Sequence, residues 1–493
     1  MNLPGLLPTG VPRRVLGTGL AGTVLLAIGG IGAGAVTGTK GKDAIAAFLH
    51  LLWMQENSVV SAICAGLVLL GVVLVAYAWW QLRALLVTLS PRAVILCAAL
   101  WSLPLLVAPP LFSRDVYAYA GQGNLVAHDL DPYKFGPGDI DPTGRWALRV
   151  DGIWRFTPSP YGPLWLWLSG RIVLLSQEHV VPALLLFRLV AIAGLVLIAW
   201  ALPKLAIAHD VPPQRALWLG LANPFVLIHG VGGAHNDALM IGLLVAGLAV
   251  AGRNPSTRKL LVATALITAG ALVKLPAVAA LAALPMLLPT WPLRLRAAAI
   301  VGASAAVTGA VLTYATGLGF GWLHTLDAGS ARLSIFSPTT GVGVALGNAL
   351  QAVGLVEQPG TATRLVLAAG LGAAGVFALV VMLRSHRTGP LRALGLALVA
   401  VFALAPVVQP WYLLWGLVLL AAVGGERVTL ALGALSVALC LSLLPNGRSL
   451  IRPPLYGAPL VAAAALAAIE VRRSTRKALE EAEPPPTSQP VAT

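Results

Sequence analysis

Long apolar stretches constrain this chain more than any other feature of its sequence. Segments of about 17 to 25 residues with few polar side chains recur from end to end, each long enough to cross about 30 Å of hydrocarbon as a helix. Backbone groups within lipid must hydrogen-bond internally, and the segments are too long and too uniformly apolar for barrel strands. Only 10% of the residues are charged, against about 25% in a typical soluble protein. The sequence therefore predicts an all-α polytopic membrane protein.

The apolar stretches predict about fourteen transmembrane helices. We place them at 15–36, 59–81, 93–112, 183–203, 215–230, 237–252, 260–275, 276–290, 297–316, 363–383, 391–406, 411–424, 428–444 and 454–470. Two further apolar stretches, 160–177 and 339–356, break the alternation of sides if they are counted as spans. We interpret them as re-entrant or interfacial helices; a compensating pair of true spans is the alternative.

The basic residues favour one orientation in the membrane. With the N-terminus in the cytoplasm, the inner segments hold 19 Lys and Arg residues and the outer segments 12, while Arg188 and Arg364 remain in apolar segments. The 18 acidic residues divide the other way, 6 inside and 12 outside. This positive-inside bias predicts a multi-pass plasma-membrane protein with both termini cytoplasmic. Because topology accounts for the net charge of +15, we expect no nucleic-acid partner.

The chain is predicted to form one membrane-embedded domain, residues 1–470, followed by a cytoplasmic tail. The tail, residues 471–493, is charged and then Pro-rich, a composition typical of disorder. The first apolar stretch is longer than the usual core of a signal peptide, so we interpret it as an uncleaved span.

The polar segments collect on the predicted outer face, and the longest is the loop 113–159. It opens with "FSRDVYAYAGQG", in which Arg114 and Asp115 follow directly after an apolar run. If this segment is helical, Asp115, Tyr119 and Gln122 share one face at positions i, i+4 and i+7. A carboxylate, a phenol and an amide suit the binding of sugar hydroxyls. The alternative for Asp115 is a helix cap or a surface ion pair.

Other outer turns supply further candidates, each with a structural alternative. Tyr161 lies in "PSPYGP", which is otherwise a simple turn at the membrane surface. His235, Asn236 and Asp237 open a predicted span, where an acidic residue can instead stabilise the helix dipole. Lys274 ends a span and could hold a lipid phosphate or merely extend to the interface. Weaker candidates for the same phosphate are Arg332 and His324. Gln409, Trp411 and Tyr412 in "QPWY" could stack on a sugar or belong to an aromatic belt.

Cofactor motifs are missing from the sequence. It has no P-loop, no Gly-rich dinucleotide motif and no HExxH, and no His/Cys/carboxylate cluster predicts a metal. We therefore expect neither a bound cofactor nor a metal.

Five motifs in a fixed order carry a family resemblance: "FSRDVYAYAGQG", "LDPY", "PYGPLW", "GGAHNDALM" and "QPWYLLW". The chain resembles, from about residue 15 to residue 470, the actinobacterial polyprenyl-phosphate-mannose-dependent α-(1→6)-mannosyltransferases MptA and MptB. The "HND" form favours the MptA-like branch. The resemblance implies a GT-C glycosyltransferase fold with its catalytic loop in the first large extracytoplasmic segment, here 113–159.

The resemblance also implies a reaction. Asp115 matches the position of the general base in related enzymes, while His235 to Asp237 and Lys274 would bind substrate. The expected partners are a polyprenyl-phosphate mannose donor, a lipid-anchored mannan acceptor of lipomannan and lipoarabinomannan synthesis, and membrane lipids. Mannose would be transferred with inversion on the outer face of the membrane.

Two other classes of function remain open on the residues alone. A secondary transporter or flippase for a lipid-linked sugar would place charged residues near the bilayer midplane and break paired helices with Gly or Pro. Arg188 and Arg364 are the charged residues within apolar segments, and no internal repeat is evident. A non-catalytic scaffold would leave the long polar outer loop unexplained.

Overall fold

The computed structural model describes residues 8–35, 53–325, 334–449, 455–465, 467–469 and 472. These residues form helices and connecting turns without any strand. The helices of eight or more residues are Arg13–Ala33, Ser58–Ala84, Pro91–Val107, Asp115–Ala127, Pro163–Leu175, Val180–Ala208, Pro213–Gly220, Asp237–Ala251, Thr257–Val273, Ala279–Met286, Trp291–Thr316, Pro338–Ala352, Pro359–Leu383, Pro390–Leu404, Leu413–Val423 and Glu426–Cys440. Short helices or turns occur at Trp53–Glu56, Pro137–Ile140, Gly152–Arg155, Pro224–Leu227, Ile228–Gly232, Leu275–Val278, Gly321–Leu323, Ser385–Thr388 and Pro410–Tyr412.

The long apolar helices confirm the membrane class. Within the described ranges, five helices are long and apolar enough to span a bilayer, or six if one sharply bent pair counts as a single span. Several predicted spans are instead shorter apolar helices of 10 to 17 residues, among them Pro91–Val107 and Pro390–Leu404. The figure of fourteen therefore remains a prediction. The two stretches interpreted as re-entrant or interfacial form Pro163–Leu175 and Pro338–Ala352, of 13 and 15 residues, or about 20 Å each.

The interior is built around two helices that carry site residues at their N-termini. Eleven of the 15 residues of Asp237–Ala251 and ten of the 11 residues of Leu413–Val423 are buried. By contrast, Trp291–Thr316 and Pro359–Leu383 bury only three and four residues, and their exposed apolar side chains suit contact with lipid. Glycines allow the central helix to pack closely, since a Cβ on Gly242 would lie 2.5 Å from the carbonyl oxygen of Gly194.

One predicted pair of spans is a single bent unit. The helical segments 224–232 and Asp237–Ala251 meet at an angle of 117°. The first ends in a π-helical turn, Ile228–Gly232, and Ala234 then has a φ of +51°, a left-handed conformation that non-glycine residues seldom adopt. The bend brings residues 235–237 to the N-terminus of a buried helix.

Arg188 holds this bend together. Its guanidinium donates to the carbonyl oxygens of Val231 and Gly232 at 3.2 and 3.3 Å, and to that of Leu106 at 2.8 Å. These carbonyls close the π-helical turn and the end of Pro91–Val107, where intrahelical donors are lacking. A cation at such a position also favours the helix dipole, so Arg188 has a structural role in the apolar interior.

The 113–159 segment combines short helices with turns and is less than half helical. It contains Asp115–Ala127, Pro137–Ile140 and Gly152–Arg155. Its beginning is fixed by Phe112, whose backbone N–H donates to the Pro445 carbonyl at 2.7 Å. A turn at Gly447, with φ +77°, packs directly on Ser113. Asp115 therefore starts its helix from a restrained position.

Candidate active site

A cavity of about 180 Å³ opens beside the N-terminus of the Asp115–Ala127 helix. Its wall combines polar and aromatic side chains with the apolar edge of the 275–276 turn. The lining residues are Asp115, Ala118, Gln122, Trp154, Pro160, Tyr161, Lys274, Leu275, Pro276, Gln409, Tyr412 and Trp415. Four separate turns that the sequence predicts to be outer therefore contribute to one concave site.

The Asp115 helix presents the predicted face to this cavity. Asp115 stands in the first turn, and its backbone N–H donates to the Ser113 hydroxyl at 3.1 Å. Gln122 is buried two turns on, and its Oε1 accepts from the Ser159 hydroxyl at 3.0 Å. Tyr119 lies between them but does not line the cavity, because its ring is fully buried against Tyr161 and Trp165. The helix is confirmed, and the polar side chains of this face that line the cavity are the Asp115 carboxylate and the Gln122 amide.

His235 contacts Asp115 from the bent segment. Its Nδ1 lies 3.5 Å from Asp115 Oδ2 and 3.5 Å from the Tyr119 hydroxyl oxygen. That hydroxyl donates to Asn236 Oδ1 at 3.3 Å, so its oxygen is available to accept from His235. The Asp115 side chain is 19% exposed, whereas that of His235 is 1% exposed. Asp115 thus reaches the cavity while His235 supports it from behind.

The hydrogen bonds assign the proton of His235 to Nδ1. Its Nε2 is buried and has no hydrogen-bond partner among the described residues. This nitrogen packs against Gly233, since a Cβ added to that glycine would lie 2.9 Å from it. A proton on Nε2 would therefore be a buried donor without an acceptor, which costs about 1–3 kcal/mol. The neutral form with its proton on Nδ1 can donate towards Asp115 and Tyr119. The ring is held in place by stacking on Trp411, with 4.0 Å between centroids.

Asp237 and Lys274 form a buried ion pair behind the cavity. Lys274 Nζ donates to both carboxylate oxygens of Asp237, at 2.9 and 2.8 Å. Trp415 Nε1 donates to Asp237 Oδ1 at 2.6 Å. Asp237 is fully buried in the first turn of its helix, where the dipole further stabilises the carboxylate. Asp237 therefore holds Lys274 in place without lining the cavity, and Lys274 is the member of the pair that lines it.

Aromatic rings surround the Lys274 ammonium. Its Nζ lies 4.4 Å from the ring centroid of Tyr412, 5.6 Å from that of Trp415 and 6.0 Å from that of Tyr161. Tyr412 and Trp415 stack on each other at 4.3 Å. Burial, with a further contribution from Asp115, raises the pKa of Tyr161 well above its usual value, so its hydroxyl stays neutral. The cation is thus confined to one orientation by ring faces and a carboxylate.

Arg114 caps the Asp115 helix next to the cavity without lining it. The side chain is half-buried, and its Nε is buried with no partner among the described residues. Burial lowers the pKa of Arg114, and the neighbouring Arg448 acts in the same direction. With a usual value near 12.5 the guanidinium remains charged at neutral pH.

Besides Arg114, Tyr119 and residues 235–237, three further predicted residues lie away from the cavity lining or outside the described ranges. Trp411 is buried behind His235 rather than in the wall. His324 is exposed at the end of the Gly321–Leu323 turn and does not line the cavity. Arg332 is outside the residues that the structure describes, so its proposed role remains a prediction.

Three residues in or beside the site are not among the candidates that the sequence predicts. Trp415 follows "QPWY" by three positions, close to one helical turn after Tyr412, and this spacing was a usable signal. Ser159 lies in "PSPYGP", and its partner Gln122 could be found only from the fold. Trp154 has no sequence signal beyond its position in the long outer segment.

Comparisons with known proteins agree with the motifs. Residues 15–290 match the family described as α-(1→6)-mannopyranosyltransferase, N-terminal domain, and residues 339–473 match the MptB C-terminal domain. A probable α-(1→6)-mannopyranosyltransferase of Mycolicibacterium smegmatis is 37% identical over 83% of this chain and 79% of its own. An α-(1→6)-mannopyranosyltransferase of Mycobacterium tuberculosis is 34% identical, over 85% and 80%. The same organism's α-(1→6)-mannopyranosyltransferase A is 33% identical, over 89% and 86%.

No solved structure matches the chain. Relatives named A and B are both similar to it, while the C-terminal match is to an MptB domain, so the preference for the MptA-like branch gains no support. The two family matches together cover most of the sequence. The chain therefore belongs to the MptA/MptB family of α-(1→6)-mannopyranosyltransferases and is a membrane glycosyltransferase.

Proposed function

We propose that this enzyme transfers mannose from polyprenyl-phosphate mannose to an α-(1→6)-linked mannan acceptor, with inversion, during synthesis of the lipomannan and lipoarabinomannan core. The observation that carries the proposal is the pairing of a base and a cation in one cavity. Asp115 and Lys274 both line it, together with neutral hydrogen-bonding and aromatic groups. The names of the relatives favour mannose and the α-(1→6) linkage.

Asp115 is the proposed general base. Its carboxylate would accept the proton of the acceptor's 6-hydroxyl as that oxygen attacks the anomeric carbon of the donor. Gln122, Tyr161 and Gln409 provide neutral hydrogen-bonding groups in the same wall, suited to sugar hydroxyls. His235 would keep Asp115 in position through the Nδ1 proton. Asn236 and Trp411, which contact Tyr119 and His235, support that arrangement from outside the cavity.

Lys274 is the proposed electrophilic group for the leaving phosphate. The polyprenyl phosphate departs as a stable anion and needs no proton, so a fixed cation is sufficient to stabilise the charge that develops on it. Two of the ammonium protons are directed to Asp237, which leaves the third for the donor. Arg332 and His324 remain proposed supplementary groups for the phosphate, and Arg114 remains a proposed substrate-binding residue.

The proposed setting is the outer face of the plasma membrane, in a GT-C fold of about fourteen spans with both termini cytoplasmic. A lipid-phosphate donor can present its sugar there, whereas nucleotide sugars are cytoplasmic. The prenyl chain would lie between spans, in contact with lipid. The polar outer turns that form the cavity support this orientation.

Transfer can be measured with radiolabelled polyprenyl-phosphate mannose and a short α-(1→6)-mannoside in membranes containing the protein. Asp115→Asn should reduce kcat by at least about 100-fold while leaving donor binding and folding intact, because the amide cannot accept the proton. Asp151→Asn, in the same outer segment but outside the cavity lining, is the matched control and should retain transfer.

Two results would contradict the proposal. Substantial transfer by Asp115→Asn would remove Asp115 from the role of base. Movement of a lipid-linked sugar across the membrane without glycosidic bond formation would favour the transporter or flippase.

A further inference from the structure

A second and larger cavity lies at the other end of the interior helices. It has a volume of about 530 Å³ and is bounded by the C-terminal turn of Ser58–Ala84 and the N-terminal turns of Pro213–Gly220 and Glu426–Cys440. The Leu413–Val423 helix, 11 residues and about 16 Å long, runs from Tyr412 in the candidate active site to Gly424 beside this second cavity. The two cavities share no lining residue.

Two guanidinium groups line this cavity. Arg83 donates through one Nη to Glu426 Oε1 at 2.9 Å, in a partly exposed ion pair. Arg215 donates through one Nη to the Gly424 carbonyl at 3.0 Å, while its Nε is buried and has no partner among the described residues. A charged guanidinium whose hydrogen-bonding groups are not all paired is unfavourable, so an anion beside Arg215 in the cavity would stabilise it.

Tryptophans and aliphatic side chains form much of the remaining wall, together with a few neutral polar residues. Trp218 is fully buried and stacks on Trp79 at 4.1 Å, and each indole N–H donates to the other's backbone carbonyl, at 2.7 and 2.8 Å. Trp80 also lines the cavity, with the Arg83 guanidinium 5.5 Å from its ring centroid. Val87, which is 92% exposed, stands in the lining as an apolar side chain open to the surroundings. Cations beside an apolar, outward-opening wall match a molecule with an anionic head and a hydrocarbon tail.

The cavity continues towards a third arginine. A neighbouring cavity of about 330 Å³ is lined by Arg14, Thr18 and Tyr77, and Gln81 lines both. Arg14, Arg83 and Arg215 all belong to the basic set that the positive-inside bias assigns to the cytoplasmic side. Against these three cations the two linings contain one carboxylate, Glu426.

From this arrangement we infer that the Arg83–Arg215 cavity binds the phosphodiester head of an anionic glycerophospholipid of the cytoplasmic leaflet. The phosphate oxygens accept from the guanidinium groups of Arg215 and Arg83, and the bond of Arg83 to Glu426 is displaced or shared. The glycerol and the first part of the acyl chains lie on Trp80 and Val87. Basic pockets between transmembrane helices on the cytoplasmic side commonly hold such heads.

The test uses the full chain, purified in detergent and stripped of lipid. Phosphatidylglycerol is added, and retained lipid is counted by native mass spectrometry across a concentration series, with phosphatidylcholine and inorganic phosphate as the other probes. We expect phosphatidylglycerol to bind at least about tenfold more tightly than phosphatidylcholine, since only the former has a net negative charge. Inorganic phosphate should neither bind detectably nor displace the lipid, because it lacks the apolar part.

For two variants we predict changes of opposite sign in the affinity for phosphatidylglycerol. Arg215→Gln should weaken phosphatidylglycerol binding by about tenfold or more, since it removes a charge-assisted donor. Glu426→Gln should strengthen binding, because it removes the carboxylate that competes for Arg83; this exposed residue is a safe change for folding even if Arg215→Gln fails to fold. Arg258→Gln, an exposed residue outside the cavity lining, is the matched control and should bind as the wild type does.

Equal binding by Arg215→Gln and Arg258→Gln would overturn the inference. So would weaker binding by Glu426→Gln, equal affinity for phosphatidylcholine, or displacement of the lipid by inorganic phosphate. The experiment measures lipid binding alone, so its outcome is independent of whether the proposed transfer reaction is correct.

Discussion

Neutralising one member of the buried Asp237–Lys274 pair should lower the free energy of unfolding by more than neutralising both members together. Asp237 is fully buried and the Lys274 side chain is only 10% exposed, with both carboxylate oxygens within 2.9 Å of the ammonium. Removing either partner leaves an uncompensated buried charge, which typically costs about 3–5 kcal/mol. Lys274→Met and Asp237→Asn each preserve side-chain volume, so the charge is the main quantity that changes.

The double variant Asp237→Asn/Lys274→Met removes both charges. Trp415 can still donate to the amide oxygen of Asn, and the amide N–H group left without a partner costs about 1–3 kcal/mol. If the two single losses were independent, the double variant would lose about 6–10 kcal/mol of unfolding free energy. Because the expected loss is only about 1–3 kcal/mol, the coupling energy between the two positions should be at least about 3 kcal/mol. The free energy of unfolding can be followed by tryptophan fluorescence in mixed micelles of increasing denaturing detergent.

A matched cycle on Arg83 and Glu426 gives the control. That ion pair is 32% and 69% exposed, so its coupling should be about 0–1 kcal/mol. Additive losses at Asp237 and Lys274 would refute the reasoning from burial. Activity adds a second readout: if Lys274 also stabilises the leaving phosphate, the double variant regains stability but not transfer. Wild-type transfer by the double variant would rule out that role.

Three further predictions follow from contacts at and near the bend. His235→Asn should retain more of kcat than His235→Gln, with similar KM, because the Asn amide N–H occupies the place of Nδ1–H; equal kcat values would contradict the assigned tautomer. Arg188→Met should lower the thermal midpoint strongly, since three carbonyls lose their donor, and Arg188→Lys should restore it only in part; a midpoint unchanged in Arg188→Met would exclude the structural role. Gly194→Ala should destabilise by about 1–3 kcal/mol, because its Cβ would meet the carbonyl of Ala238, whereas Gly302→Ala, with open space around it, should be neutral or mildly stabilising in the same unfolding assay.

The sequence predicted the features that depend on local pattern. Apolar length identified the membrane class, and the spacing of Asp115, Tyr119 and Gln122 identified the helix face that starts at the cavity. These predictions succeed because helix periodicity and hydrocarbon thickness act on contiguous residues.

Features that depend on tertiary partners could not be predicted. Asp237 and Lys274 lie 37 positions apart on different helices, and nothing in either segment indicates that each neutralises the other. The bend between 224–232 and Asp237–Ala251 was hidden because hydropathy registers two apolar stretches and not the angle between them. The left-handed Ala234 is an unusual choice that only surrounding contacts can enforce.

The ion pair has a consequence for the donor that the enzyme can accept. Asp237 neutralises Lys274, so the lining residues together with Asp237 have one net negative charge when Asp115 is ionised; Arg114 stands next to the cavity but outside this set. Every negative charge on a donor therefore adds repulsion in a partly desolvated site, and the repulsion grows with the number of charges. A polyprenyl-phosphate sugar has one such charge, whereas a nucleoside diphosphate sugar has two. The proposed phosphodiester donor is consistent with this balance of charges, and the third ammonium proton of Lys274 would give its single anionic group one directed partner.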